Sequence, residues 1–289
     1  MPEPILISAT KLRRDLSEGS PKIIDTRPKP AYDQGHIPGA VNIPLLFTYL
    51  LPAGDKGPAH LCETFKHELS KAGIGREDRV IIYENTLLDG FGQSCRGWFI
   101  LKWMGHRSVV ILDGGFAAWE KAGYPVSQCP PTPSITLYQP KTDSSLTASA
   151  GDVLEAIRQN GKTVLLDCRD REEWAAESSS PYGRDFCPRK GRIPSSVWLE
   201  WRELMDTSSG TPLFRSPAGI LALCRNAGLS KTDRIIVYCF KGSRAAAVIA
   251  ALRYAGFDLV KNYFASWNEW SRDHSLPIDT KPLNQALYQ

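Results

Sequence analysis

Short runs of aliphatic and β-branched residues alternate along this chain with longer stretches whose apolar positions recur at helical spacing. The runs are Ile23-Ile24, Val80–Tyr83 and Val109–Leu112 in the first half, and Val164–Leu166 and Ile235–Tyr238 in the second. Each run is continuous rather than alternating with polar residues, which is the pattern of a strand buried on both faces. Such strands separated by amphipathic helical stretches predict an α/β fold, a small parallel sheet with helices on both faces. In sheets of this kind the loops at the carboxyl ends of the strands build the ligand site.

The pattern is written twice. The stretch "VIIYENTLLDGFGQSCRGWFILKWMGH" (80–106) answers "IIVYCFKGSRAAAVIAALRYAGF" (235–257), and "GGFAAWEKAGYPV" (114–126) answers "ASWNEWSRDHSLPI" (265–278), pairing Trp119 with Trp270. Likewise "IIDTRPKPAYDQGHIPGAVNIP" (23–44) answers "LLDCRDREEW" (165–174), which resumes at "GRIPSSVW" (191–198) after an excursion over 175–190. One repetition at domain-length spacing is a duplicated domain rather than a solenoid. The expected division is a first domain at 1–127, a linker at 128–147 rich in Pro, Ser and Thr, and a second domain at 148–289. The excursion follows a predicted strand, which puts it on the same edge as the loop after Tyr238.

Composition narrows the class. Of 289 residues, 42% are hydrophobic and 23% charged, as in ordinary globular proteins. No apolar run is long enough to span a membrane, and the opening Met1-Pro-Glu-Pro lacks the cationic and apolar segments of a secretory signal. The formal charge of +4 suits a small anionic substrate and gives no basic block for nucleic acid. Seven cysteines with no metal-binding spacing read as free thiols in a reducing compartment, the cytoplasm.

One cysteine stands apart. Cys239 follows an apolar run and precedes Phe240, Lys241, Gly242, Ser243 and Arg244, after which an alanine-rich helix begins. A loop between a strand and a helix N-terminus can curl its N–H groups around one side chain, where the helix dipole adds partial positive charge. A thiol in that setting ionises readily and becomes a nucleophile. Where the second half has Tyr238-Cys239, the first has Tyr83-Glu84, so only one half carries a nucleophile.

The motif Cys-x-x-Gly-x-Arg after a strand, two unequal copies, Asp-x-Arg after the first strand, Gly-His-Ile-Pro-Gly-Ala and a carboxyl-terminal Trp-x-x-Trp together resemble the tandem rhodanese family of sulfurtransferases. The resemblance implies two rhodanese-like domains, the first inactive and the second forming a persulfide on Cys239. Residues Phe240 through Arg244 would cradle the sulfur, and Asp167 and Arg169 would brace the loop. It implies no metal or organic cofactor, a small anionic sulfur donor, and cyanide or a thiol as acceptor. Lys241 at the third loop position matches thiosulfate-preferring relatives, with 3-mercaptopyruvate as the alternative donor. Two residues depart from the family: Glu173 replaces an arginine, and Ala265 replaces a glycine before Ser-Trp.

Rival chemistries remain at this point. Related phosphatases and arsenate reductases use one more residue between Cys and Arg to hold a larger oxyanion, and a non-catalytic sulfur-sensing module would need no intact cradle. Cys187, among Arg184, Arg189, Lys190 and Arg192, is a candidate resolving thiol for Cys239, although an incidental loop thiol is the simpler reading. The same arginines are candidates for steering an anion. His36 and His106 read as turn histidines, and Trp119, Trp267 and Trp270 as core and interdomain packing.

Overall fold

The computed structural model describes residues 4–19, 21–50, 56–159 and 161–282. The outermost residues of the two expected domains, including Met1-Pro-Glu, lie outside them. The first half runs β1 (Leu6–Ile7), α1 (Ala9–Glu18), β2 (Lys22–Asp25), α2 (Lys29–Gln34), β3 (Ala40–Asn42), α3 (Leu45–Thr48), α4 (Lys56–Lys71), β4 (Arg79–Tyr83), α5 (Gln93–Trp103), β5 (Ser108–Leu112) and α6 (Gly115–Lys121). The second runs α7 (Ala150–Gln159), β6 (Val164–Asp167), α8 (Arg171–Trp174), β7 (Val197–Trp198), β8 (Met205–Asp206), β9 (Leu213–Phe214), α9 (Pro217–Asn226), β10 (Ile235–Tyr238), α10 (Ser243–Tyr254), β11 (Val260–Asn262) and α11 (Ser266–Trp270).

Two parallel sheets result, ordered β1-β5-β4-β2-β3 and β11-β10-β6-β7, with β8 and β9 forming a small antiparallel pair. An isolated parallel bridge from Thr147 to Asn262 extends the second sheet where β1 extends the first. The duplication read from sequence is therefore a duplication of topology. Alternate strand residues face opposite layers. Ile24, Val80, Ile82 and Ile111 pack with α4 and α5 on one face, while Ile23, Ile81 and Val110 pack with Leu12 and Trp119 on the other. In the second sheet Leu166, Val237 and Val260 face α9 and α10, whereas Leu165 and Ile236 face Val153, Trp267 and Trp270. This two-sided burial is why the strands read as continuous apolar runs.

The inner faces of both halves share one core. Helices α5 and α10 lie against each other at that seam and are buried on nearly all sides, which removes the usual polar stripe. Small residues permit the approach: a Cβ on Gly92 would meet the Cβ of Ala247 at 3.1 Å and the Ser243 carbonyl oxygen at 3.2 Å. Phe99 stacks on Phe264 with 5.8 Å between ring centres, and Phe91 on Trp201 at 6.0 Å. The tryptophans expected in the core and between the domains take only the first of these places. Trp119, Trp267 and Trp270 are buried within the outer cores of their own halves.

The segment expected as a linker carries one short 3-10 turn, Ser144–Leu146, and is bound to the first half rather than loose. The Thr136 and Lys141 N–H groups donate to the carbonyls of Ser70 and Met104, and the Asp143 N–H to that of Trp103. Tyr138 is fully buried and stacks on His106. Proline-rich composition removed the helical and strand periods without removing the contacts. Among the described residues no helix is long and apolar enough to cross a membrane.

Candidate active site

Strand β10 is apolar and buried throughout, so it delivers its next residue, Cys239, to the carboxyl edge of the sheet beneath the helix layer. There the chain turns sharply into α10. Gly242 caps that helix with φ 82, in the left-handed region, and a Cβ there would meet the Phe264 carbonyl oxygen at 2.8 Å. The loop is held from behind. The Cys239 N–H donates to Ser266 Oγ at 3.2 Å, and the Cys239 and Phe240 carbonyls each accept an N–H from Trp267 and Asn268 at 3.0 Å. Ala265 takes φ −71, which any residue adopts, and the left-handed turn falls on Ser266 at φ 55. Replacing the family's glycine at 265 therefore costs this backbone nothing.

Cys239 is 1% exposed, and its Sγ accepts the Gly242 N–H at 3.2 Å. Burial alone pushes the thiol pKa up. The S–H of Cys168, the charge of Arg244 and the N–H groups of Ala245 and Lys241 outweigh that penalty, leaving the thiol well below its ordinary 9.0. Cys239 thus ionises far more readily than an ordinary thiol, and the same donors would stabilise any anion it came to carry.

Arg244 is nearly buried and does not reach outward. Its guanidinium donates to both oxygens of Glu173 at 2.5 and 3.0 Å and lies 3.1 Å from Asp170. Glu173, the residue that departs from the family, is therefore the partner that lets an arginine sit buried under the loop. Lys241 folds across the domain seam. Its Nζ donates to the Phe47 carbonyl at 3.0 Å and lies 3.9 Å from the centre of the Phe47 ring. Burial, with Arg96 and Arg244 nearby, pulls its pKa down to about 8. The Ser243 hydroxyl is buried and has no hydrogen-bond partner.

Asp167 and Arg169 lie one layer further in. Arg169 binds Asp167 with two nitrogens, at 3.0 and 2.6 Å, and donates to the Gly191 carbonyl at 2.8 Å. The Tyr238 hydroxyl donates to Asp167 at 2.6 Å, so the cluster fixes the strand end that carries Cys239 without touching its sulfur. Asp25, Arg27, Tyr83 and Gly35 repeat the arrangement in the first half.

The excursion over 175–190 lies on the cysteine loop, as its place after β6 led one to expect. Tyr182 and Phe186 set their rings edge-on to Phe240 at 5.3 and 5.8 Å. The candidate steering cations are tied into the structure. Arg184 donates to the Glu177 carbonyl, Arg189 to the carbonyls of Trp270, Ser271, Asp273 and Leu276, Lys190 pairs with Asp185, and Arg192, just beyond the excursion, pairs with Asp279. Cys187 is buried in the outer core beside Trp270 and Leu276.

Two neighbours of Cys239 were not singled out from sequence. Cys168, directly after β6, is fully buried in the interdomain core and donates its S–H to the Tyr238 carbonyl at 3.2 Å. Burial and the nearby Cys239 raise its pKa, and its own proximity lowers that of Cys239. Arg96 comes from α5 of the opposite half and lies 5.0 Å from the Phe264 ring centre. It donates to the carbonyls of Leu46, Phe47 and Tyr49, while its buried Nε has no partner. Burial lowers its pKa to about 10, and the Cys239 charge works against that fall. A strand register and a helix contact bring these residues in, and neither can be read along the chain.

In the first half, Glu84 fills the equivalent turn. Its carboxyl accepts N–H groups from Gln93 and Ser94 at 3.0 and 3.1 Å and the Ser94 hydroxyl at 2.5 Å. The helix N-terminus there is closed by a carboxyl group of the protein's own.

A model of the rhodanese-like domain matches the chain twice, at residues 8–122 and 149–273. A sulfur carrier protein of Thermus thermophilus, TtuD, is 30% identical over 86% of this chain and 86% of its own length. A thiosulfate sulfurtransferase of Corynebacterium glutamicum is 29% identical over 95% of this chain and 90% of its own. Among solved structures, SseA of Escherichia coli, described for the mechanism of 3-mercaptopyruvate sulfotransferases, superposes with a TM-score of 0.76 at 24% identity. That match covers 91% of this chain and 99% of SseA. Wild-type EanB gives a TM-score of 0.83 at 21% identity, covering 96% of this chain and 70% of EanB. These two likenesses are of fold. The paired sheets, the cysteine turn and the double match agree: the chain belongs to the rhodanese-like domain family, carries the domain in tandem, and is an enzyme of the sulfurtransferase class.

Proposed function

We propose that the chain transfers the outer sulfur of thiosulfate to cyanide or a thiol through a persulfide on Cys239. The observation that carries this reading is the Cys239 thiol, its pKa drawn well down, held under a ring of N–H donors at the start of α10. The thiolate attacks the outer sulfur of thiosulfate and a new S–S bond forms. The old S–S bond breaks, and sulfite leaves with its electron pair. The acceptor then attacks the outer sulfur of the persulfide and restores the thiolate. Four residues stand between Cys239 and Arg244, a ring suited to one sulfur atom rather than a tetrahedral oxyanion.

The anionic end of the donor meets cations from both halves. Lys241 spends one of its three donors on Phe47 and keeps two, and Arg96 has its Nε free. As the S–S bond breaks, charge builds on the departing sulfite, where a point cation contributes most. The first domain, with Glu84 in place of a nucleophile, is a wall and a source of charge rather than a second catalyst. Seven free thiols suit a reducing compartment, and we take the cytoplasm as the place of action.

Donor choice is tested by Lys241→Ala. Losing a charge-assisted contact of about 1.5–3 kcal/mol lowers the thiosulfate rate constant roughly ten- to a hundred-fold. The constant for 3-mercaptopyruvate, whose carboxylate lies further from the breaking bond, falls much less. Equal losses that fade with added salt would make Lys241 a steering charge and favour mercaptopyruvate as donor.

A further inference from the structure

The resolving thiol sought at Cys187 is absent from the cysteine turn, yet a second sulfur stands there. Cys168 and Cys239 are the residues immediately after β6 and β10, whose parallel register pairs Asp167 with Tyr238. The ladder continues one step beyond, with the Cys168 N–H donating to the Tyr238 carbonyl at 3.1 Å. Neighbouring strands lie about 4.8 Å apart, and disulfides bridge Cα separations of about 4.4–6.8 Å. Both side chains enter the same core, both thiols are free, and the Cys168 S–H, which donates to the Tyr238 carbonyl at 3.2 Å, also bears on the Cys239 thiol and lowers its pKa. The Cys239 sulfur accepts the Gly242 N–H from the start of the helix, and Cys168 comes from the end of the neighbouring strand.

We propose that Cys168 is an internal sulfur acceptor that discharges the Cys239 persulfide as hydrosulfide when no external acceptor arrives. The inference rests on the persulfide reading above. The Cys168 sulfur attacks Sγ of Cys239, forming a Cys168–Cys239 disulfide and breaking the bond to the outer sulfur. That sulfur leaves with the electron pair and takes the proton from the Cys168 thiol, departing as HS⁻. The Cys168 sulfur is oxidised and the outer sulfur reduced, so charge and protons balance. A reductant of the dithiol class must then open the disulfide by thiol exchange. Burial holds the Cys168 thiol protonated, its pKa pushed well above 9.0, which makes the internal step slow. An external thiolate therefore takes the sulfur first wherever one is present. The second activity, a persulfide reduction that yields sulfide, is seen only when acceptors run out.

The test uses the full chain charged with thiosulfate, freed of excess donor and left without acceptor. Intact mass under non-reducing conditions passes from one sulfur atom heavier than the free chain to two hydrogen atoms lighter. Free sulfide appears in equal amount, a non-reducing peptide map links Cys168 to Cys239, and dithiothreitol restores the starting mass. Cys168→Ser keeps a hydrogen-bond donor beneath the sulfur, stays one sulfur heavier and loses sulfide release, whereas Cys187→Ser behaves as the parent does. A parent chain that stays one sulfur heavier and releases no sulfide overturns the proposal, and so does a disulfide that excludes Cys168. If the chain gains no sulfur at all, the persulfide reading itself fails.

Discussion

The two halves close the same strand-to-helix turn around different side chains. In the second, Gly242 turns the chain with φ 82, and the α10 N–H groups surround the Cys239 thiol. In the first, Gly92 turns it with φ 72, and the α5 N–H groups bind the Glu84 carboxyl oxygens. One turn holds a cysteine thiol among its donors, and the other satisfies them with a carboxyl of its own. The cations differ as well. Arg244, under the working turn, is balanced by Glu173 and Asp170, whereas Arg96 of the silent half has no acidic partner in its hydrogen bonds and lies across the seam from Cys239. On the proposed function, the half without a cysteine at this turn would still supply charge to the other half's site.

The strongest way to break this contrast is to remove Arg244. Arg244→Ala leaves Glu173 buried without its partner, a change that costs about 3–5 kcal/mol. Urea denaturation should register that loss, and thiol titration should show the Cys239 pKa moving up. An unchanged denaturation midpoint would mean that the pair is not the support described.

Arg96 sharpens the comparison from the other side. Arg96→Ala should lower the second-order constant for thiosulfate roughly ten- to a hundred-fold, the value of a charged hydrogen bond. Alkylation of Cys239 by neutral iodoacetamide should fall far less, because the thiolate remains. Equal losses in both reactions would assign Arg96 to packing.

Lys241 gives a pH signature. Its ammonium is charged below about 8 and neutral above, while the Cys239 pKa is drawn well down from its ordinary 9.0. Charging by thiosulfate should therefore fall as pH rises through about 8, and Lys241→Arg should remove the falling limb. A limb that persists in the arginine variant would belong to another group.

The smallest effect is expected at Glu84. Glu84→Gln should leave sulfur transfer unaltered. Burial raises the Glu84 pKa from 4.5 to about 8, against the pull of its donors. A carboxyl raised on folding stabilises the chain fully below about 4.5 and loses that contribution as pH rises through about 8. The glutamine variant should flatten the corresponding decline in thermal stability. A collapse of transfer in a folded variant would give the first half a chemical role.

Local pattern carried much of this molecule. The apolar runs gave the long strands because those strands are buried on both faces, and the Cys-x-x-Gly-x-Arg motif led to the turn because its chemistry is contiguous in sequence. Cys168 was one thiol among seven until the β6–β10 register set it beside Cys239. Arg96 read as part of a scaffold because only the contact of α5 with α10 turns it toward the other half. Lys241 was expected at the donor, and its attachment to Phe47 depends on a fold of α3 that no period announces. The two-residue strands β7, β8 and β9 are too short to leave a pattern.

The central claim is that one sulfur in the chain, Cys239, carries the transferred atom. Intact-mass measurement and peptide mapping immediately after mixing with thiosulfate test it most directly. The account predicts one added sulfur atom, located on Cys239, and none on a folded Cys239→Ser variant. Sulfur found on another cysteine, or sulfur transfer by the variant near the parent rate, would contradict it.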